Sequence, residues 1–242
     1  MAKVNGLNVR LYVQGYDLSG DANALTGMGY TNELLDVTTL DVSAQKRLVG
    51  IVDGEIGVAA WFDAASSKQH AVWTSNSGKL PTADQDVLIP MGAAVGDPAV
   101  GLVSKQGTYS VTNSLGSALA ASATFTANGS APEFGEMMTA HDDTHASAGS
   151  GTVVDSGAAS TNGGAGYLQV LSLASGSVTV NLQESTSSGG SYSNFMTFST
   201  VAAAAAPTAE RLVMTGNVAR YVKVTTTGTF SNAKIALGFT RR

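Results

Sequence analysis

The stretch Leu34–Asp63, LLDVTTLDVSAQKRLVGIVDGEIGVAAWFD, decides how this chain is read. Val37–Asp41 alternates, with Val37, Thr39 and Asp41 on one face and Thr38 and Leu40 on the other, which predicts a strand. Arg47–Val52 predicts a second extended run. Asp53-Gly54 reads as a hairpin turn, because both residues tolerate the positive φ of a tight reversal. Glu55–Phe62 is then the return strand, with Ile56, Val58, Ala60 and Phe62 on one face and Glu55, Gly57, Ala59 and Trp61 on the other. Between the first two runs, Ala44, Gln45, Lys46 and Arg47 form a polar arm long enough to leave the sheet. A hairpin beside such an arm can add to a neighbour's sheet as readily as to its own. The interface candidates are therefore Ala44, Gln45, Lys46, Arg47, Gly50, Asp53 and Gly54.

Before this stretch, Val9–Val13 predicts a short strand and Asp17–Ala24 a polar loop. After it, Asp63 is placed to cap a helix over Ala64–Thr74, ended by Ser75-Asn76-Ser77-Gly78 and closed off by Pro81. Val87–Met91, Val100–Val103, Thr108–Thr112 and Ala118–Ala127 predict further strands. From Ala140 to Gly166 Gly, Ser and Ala dominate, which predicts a linker or a loose domain entry. Beyond it, Tyr167–Leu173, Val178–Glu184, Tyr192–Phe198, Glu210–Thr215, Arg220–Thr227 and Ala233–Phe239 are strands at the spacing of an antiparallel β-sandwich. Ala202–Ala206 is too short and too uniformly apolar for a helix and is expected as a loop.

Of the 242 residues 43% are hydrophobic and only 13% charged, against about 25% charged in an ordinary soluble domain. Gly, Ser, Thr and Ala fill the difference, which suits short strands and a surface packed against copies of itself. There is no cysteine, hence no disulfide framework and no thiolate metal site. The N-terminal MAKVNGLNVRLYV has no apolar stretch of signal-peptide length, and no segment approaches the ~18 apolar residues of a membrane span. Residues 1–150 hold seven Lys/Arg and fifteen Asp/Glu, whereas residues 151–242 hold six and three. This change of sign fits two units in different electrostatic surroundings.

Little of the sequence carries reaction chemistry. His141-Asp142-Asp143-Thr144-His145 has metal-ligand residue types, but its Gly/Ser-rich surroundings favour a polar linker. His70, within the expected helix, reads as a packing or surface residue. Gly189-Gly190 and Gly163-Gly164 lack the strand, helix and lysine of a phosphate loop. No nucleophile elbow and no basic–aromatic stripe occurs. The chain is not read as an enzyme, and no cofactor or metal is assigned.

Three segments carry a resemblance. Leu35-Asp36-Val37-Thr38-Thr39, followed by the polar arm, Gly50-Ile51-Val52-Asp53-Gly54-Glu55-Ile56 and the closing Phe62-Asp63, resembles the central run of tail tube (major tail) proteins of long-tailed, siphovirus-like bacteriophages. Thr126–Thr139, TANGSAPEFGEMMT, and Gly166–Arg242, notably YLQVLSL, VTVNLQES and ARYVKVTTTGTFSNAKIALGF, are similar to tail proteins of phages infecting actinobacteria. The resemblance implies a mainly β chain: a tail-tube β-sandwich or barrel domain with one flanking helix over residues 1–148, then a C-terminal antiparallel β-sandwich over residues 149–242. It further implies a structural virion protein, assembled in the host cytoplasm into stacked homohexameric rings. Those rings would form the tail tube that conducts double-stranded DNA during genome ejection. Its partners would be itself, other tail proteins at the tube ends, DNA in passage without specific binding, and weak cell-surface contact by the C-terminal unit. Truncation near Gly149 is expected to spare assembly.

A different reading makes the C-terminal unit a carbohydrate- or cell-surface-binding adhesin, with Tyr167, Tyr192 and Tyr221 as stacking faces. On the tube reading, the acids between Asp17 and Asp63 are candidates to face the channel: Asp17, Asp21, Glu33, Asp36, Asp41, Asp53, Glu55 and, at the end, Asp63. Only Lys46 and Arg47 oppose them in that stretch. An acidic wall would repel DNA weakly and let it slide.

Overall fold

The computed structural model describes residues 6, 8–75, 77–141 and 143–242. Strands make up 57% of the chain and helix 3%, so the protein is mainly β, with antiparallel pairing. In chain order the first half contains β1 (Tyr12–Val13), β2 (Tyr16–Asp17), β3 (Ala22–Asp36), β4 (Arg47–Trp61), a single short helix α1 (Gln69–Trp73), β5 (Gln85–Pro90), β6 (Pro98–Thr112), β7 (Ala120–Ala127) and β8 (Glu133–Met137). The second half contains β9 (Thr144–His145), β10 (Gly149–Asp155), β11 (Gly164–Ser185), β12 (Ser193–Thr197), β13 (Val201–Ala202), β14 (Thr208–Met214), β15 (Tyr221–Thr227) and β16 (Phe230–Arg241).

Two cores follow from the period-two patterning. In the first, Ile56, Val58 and Ala60 of β4 share a face with Phe125, Ala123 and Ala121 of β7, opposite which they pair. They pack on Leu11, Val100 and Trp73, the largest fully buried side chain. Trp73 meets Phe125 and Tyr109 edge-on at centroid distances of 6.3 and 6.0 Å, a favoured aromatic geometry. In the second core, Val178, Val180 and Leu182 of β11 face Val222 and Val224 of β15 and Phe239 of β16.

A third cluster joins the halves. Tyr12, Leu88, Ala99 and Met137 pack on Ala165, Tyr167 and Ala236. Gly101 permits this approach, since a Cβ there would lie 2.3 Å from the Tyr167 ring. The Tyr167 hydroxyl donates to Glu133, and Arg211 and Arg242 reach the same carboxylate at 2.9 and 2.6 Å. Burial pushes the Glu133 carboxyl up, but hydrogen bonds from Tyr167, Arg242 and Arg211 outweigh it and hold the group below its ordinary value. Burial, reinforced by Glu133, raises the Tyr167 phenol. β16 also pairs with β8, so hydrogen bonding runs continuously from one half into the other.

Several local expectations are corrected. Val37–Asp41 is not a strand but part of the 37–46 connection between β3 and β4. Asp53-Gly54 is not a turn: both residues lie inside β4, opposite Thr31 and Tyr30. β3 occupies the expected loop from Ala22 onward and extends well before Thr31. The helix is confined to Gln69–Trp73, and Asp63 accepts from the Ala65 N–H in the turn before it rather than capping it. The helix's first N–H, from Gln69, is taken by Asp21 at 3.1 Å. The stretch 140–166 is not a plain linker, since it supplies β9 and the whole of β10, which pairs along β15. Tyr167–Leu173 and Val178–Glu184 are one strand, β11, and Ala203–Ala205 forms a 3₁₀ turn.

Candidate assembly surface

β3 and β4 pair along fifteen residues each, but the body of the protein covers only their proximal part. From Thr31 to Asp36 in β3, and from Arg47 to Asp53 in β4, every residue except Gly50 is exposed. The exposed residues include Leu34, Leu35, Leu48, Val49, Ile51 and Val52, with Val49 and Ile51 at 66% and 77% exposure. Leu34 pairs with Val49 and Leu35 with Leu48. Successive strand residues point to opposite sides, so this ribbon is apolar on both faces. A two-stranded ribbon is marginal in water by itself, and one with two bare apolar faces is built to be covered.

The 37–46 connection is tied by its own hydrogen bonds. Val37 N–H donates to Lys46 O at 2.9 Å, and Lys46 N–H to Thr38 Oγ1 at 3.0 Å. Thr38 donates its hydroxyl (2.5 Å) and its N–H (2.9 Å) to Asp36, and Thr39 donates its hydroxyl to Asp41. These bonds, side chain first, lower both carboxyl pKa values. Gln45 accepts from Arg47 at 2.6 Å. At the crest Leu40 is fully exposed. Ala44, Gln45 and Lys46 therefore lie in the connection, while Arg47 opens β4 opposite Asp36.

The remaining candidates divide by position. Gly50 lies under Glu33, whose Oε2 would be 3.0 Å from an added Cβ. Gly54 needs to be glycine for space and not for a positive φ: a Cβ would meet the Gly29 carbonyl oxygen and Pro132 Cδ, each at 2.5 Å. Asp53 accepts from the Gly54 N–H at 2.7 Å, and Glu55 is exposed. Asp53 and Glu55 share the β4 face that points away from the first core. Asp17 binds Ser19 and lies 3.7 Å from Arg10. Asp21 is 6% exposed and binds Lys68 at 3.3 Å. The structure does not bring these eight acids into one cluster.

A second feature was invisible in the sequence. β3, β4, β7 and β6 form a four-stranded layer. Among the described residues β3 pairs on one edge only, with β4. β6 meets β5 only as far as Ser104, so Lys105–Thr112 has β7 on one side and no strand on the other among the described residues. The layer therefore ends in two open edges. Its face away from the core carries Gly57, Ala59 and Trp61 of β4, Ser122 and Thr124 of β7, and Lys105 and Ser110 of β6, so most of its side chains are small.

The other sequence candidates have structural roles. His70 Nδ1 lies 2.7 Å from the Tyr109 hydroxyl. His145 Nε2 is 3.3 Å from Asp143 Oδ2, the backbone carbonyl of His141 accepts from Tyr12, and Asp142 lies outside the described residues. Among the described residues no three His, Cys, Asp or Glu side chains converge as a metal site. Tyr167 is buried and cannot present a stacking face.

No protein-family model matches the sequence, and no curated protein matches it. Among solved structures, one chain from the virion of a native gene transfer agent particle is similar at 17% identity and a TM-score of 0.40, covering 55% of this chain and 98% of its own. A chain of the anti-feeding prophage tube-terminating cap is similar at 8% identity and a TM-score of 0.44, covering 56% and 93%. The SPP1 Dit protein, a hub of the adsorption apparatus in phages infecting Gram-positive hosts, is similar at 10% identity and a TM-score of 0.37, covering 96% and 98%. These structural neighbours are phage-tail-type tube and hub components.

Proposed function

We propose that this chain is a tail tube subunit that closes into rings through the β3–β4–β7–β6 layer. The observation that carries the reading is the bare distal β3–β4 ribbon together with the two open edges of the layer. Within the layer each strand is antiparallel to the next, so β3 and β6 run in opposite directions. Rotation about a ring axis preserves strand direction. The β3 edge of one copy therefore meets the Lys105–Thr112 edge of the next in antiparallel sense, and closure removes both edges. The sequence resemblance supports the same reading and adds sixfold rings stacked into a tube.

In such a ring the face packed on Trp73 and Phe125 lies outside. The face of Gly57, Ala59, Ser122 and Thr124 lines the channel, with Asp53 and Glu55 contributing its acids. Small, uncharged side chains give DNA nothing to grip, Lys105 on the same face is matched by Asp84 at 2.8 Å, and the two carboxylates add weak repulsion. The apolar ribbon and its crest, residues 31–52, then bury against neighbouring copies. Each aliphatic side chain so covered contributes about 1.5–3 kcal/mol. Residues 1–148 carry the ring contacts on this reading, and residues 149–242 sit outside the tube as a decorating unit.

Purified protein at increasing concentration, followed by sedimentation and negative-stain microscopy, tests the proposal. Rings or open-ended tubes are expected. A chain that stays monomeric at every concentration and salt would falsify it.

A further inference from the structure

The second half presents a sheet face separate from the β3–β4–β7–β6 layer. β10, β15, β11 and β12 are hydrogen-bonded side by side. Val178, Val180 and Leu182 of β11 and Val222 and Val224 of β15 point into the second core. The alternate residues point outward. Gln183 projects from β11, Tyr221 and Lys223 from β15, and Asn194 from β12, with Gln183 opposite both Lys223 and Asn194, while Asn181 on the same side of β11 is buried.

Three features of this face occur together. Gln183 Nε2 donates to Asn194 Oδ1 at 2.8 Å, and Asn194 Nδ2 to Asn181 Oδ1 at 3.4 Å, giving a row of primary amides across two strands. Each amide carries two donors and an acceptor; Asn181 is buried, so Gln183 and Asn194 are the two that keep hydrogen-bonding capacity for a ligand. Lys223 Nζ lies 4.2 Å from the Tyr192 ring centroid and, among the described residues, has no carboxylate partner. Tyr221, two residues along β15 on the same face, stacks with Arg220, whose own charge is matched by Asp155 at 2.6 and 2.7 Å. Among the described residues the face thus presents Lys223 as an uncompensated cation, flanked by two tyrosines and bordered by amides.

We propose that this face binds an acidic polysaccharide. Planar amides pair with adjacent hydroxyls of a sugar ring, tyrosine rings pack on its C–H faces, and the ammonium takes a carboxylate. Charge complementarity selects the acidic class. Residues 151–242 carry twice as many Lys/Arg as Asp/Glu, whereas residues 1–150 carry fewer than half as many. A polyanion is therefore repelled by the first half and admitted at Lys223. The inference does not depend on the ring reading.

Binding of the full-length protein to immobilised polygalacturonate tests it, with dextran as a neutral glycan and poly-glutamate as a polyanion without sugar rings. Polygalacturonate is expected to bind best. Lys223→Ala and Asn194→Ala are each expected to weaken it by roughly tenfold, with unchanged thermal unfolding, while Met214→Ala, on β14, has no effect. Equal binding to poly-glutamate overturns the proposal, because it reduces the face to a charge. Binding to none of the three polymers overturns it, as do Lys223→Ala and Asn194→Ala variants that bind like the parent.

Discussion

The β3–β4 pair and the β11–β16 pair are both long antiparallel ladders, yet they have opposite fates. β11 and β16 are buried along much of their length, with Leu168, Val170, Ile235, Leu237 and Phe239 in the second core and Ala165, Tyr167 and Ala236 at the junction. Distal β3–β4 carries Leu34, Leu35, Leu48, Val49, Ile51 and Val52 in the open. The difference is where the covering surface comes from. For β11–β16 it is in the chain. For β3–β4 it must come from another molecule, because exposed apolar patches of this kind mark interaction surfaces. Substitutions at the first pair should therefore act on folding, and those at the second on association.

The sharpest way to break that comparison is to charge the bare ribbon. Val49→Asp with Ile51→Asp is expected to abolish rings and tubes, as read by sedimentation velocity, because each interface would bury two unpaired carboxylates. Both positions are already in water in the single chain, so its melting temperature should stay within a degree or two. A large fall in melting temperature would show that the ribbon packs within the chain, and the contrast would fail.

At the junction the expectation reverses. Tyr167→Ala empties a fully buried site and strips Glu133 of one donor while leaving two arginines beside it. A loss of about 3–5 kcal/mol is expected from comparable aromatic truncations, read by denaturant unfolding. This junction also changes what a truncation near Gly149 tests. Removing residues 149–242 bares Tyr12, Leu88 and Met137, so loss of assembly in that fragment would report a damaged core as readily as a missing contact. Surface substitutions on the second half are the cleaner probe of whether it lies outside the ring.

The sequence made the covered half more legible than the bare one, for a physical reason. Alternation appears where one face is buried, and it located β5, β7, β15 and β16 within a few residues. β3 reads ANALTGMGYTNELLD. It has no alternating pattern because its distal part buries neither face, and it is strand only through pairing with β4. Asp53-Gly54 carries the composition of a turn, but Gly54 answers to a close approach by Gly29 and Pro132. That constraint comes from segments well away in the chain. The Gly/Ser-rich run containing β10 failed similarly, since an edge strand with little to bury looks like a linker. Of the site candidates, the arm was legible as a polar connection. The open edge of β6 was not, because it exists only where β5 stops.

A smaller effect sharpens the junction side. Asp86 of β5 lies near Arg211 of β14. Burial raises its pKa to about 6, with Arg211 opposing and Asp84 and Glu210 adding to the rise. A carboxyl whose folded value is above its unfolded value favours the folded state while protonated. Its cost appears as pH rises from about 4 to 6 and is complete above that. At about 1.36 kcal/mol per unit, that cost is at most about 3 kcal/mol at neutral pH. Asp86→Asn should therefore stabilise the protein at pH 7.5 and have little effect at pH 4, by thermal unfolding at both. Equal shifts at the two pH values would mean that the carboxyl is not titrating there.

The smallest effect concerns the channel face of the proposed ring. Asp53 and Glu55 are the candidate acids that share the small-residue face of β4, whereas Asp21 is consumed by Lys68 and the helix, and Asp36 and Asp41 by threonines of the connection. On a ring every copy repeats the change, so Glu55→Lys turns a circle of weak repulsion into a circle of phosphate-binding cations. Each phosphate neutralised releases a counterion, and the resulting grip weakens with added salt. The field of such a ring reaches about 8 Å at physiological ionic strength and further in dilute buffer. Particles assembled with Glu55→Lys subunits should therefore release DNA more slowly than the parent, by a few-fold at low salt, with the gap closing as salt is added. Tube length and diameter should not change, because Glu55 is already solvent-facing. A release rate equal to the parent's at low ionic strength would place Glu55 away from the DNA path while leaving the edge-to-edge ring intact. A slowed rate insensitive to salt would point to a structural change in the tube and not to charge.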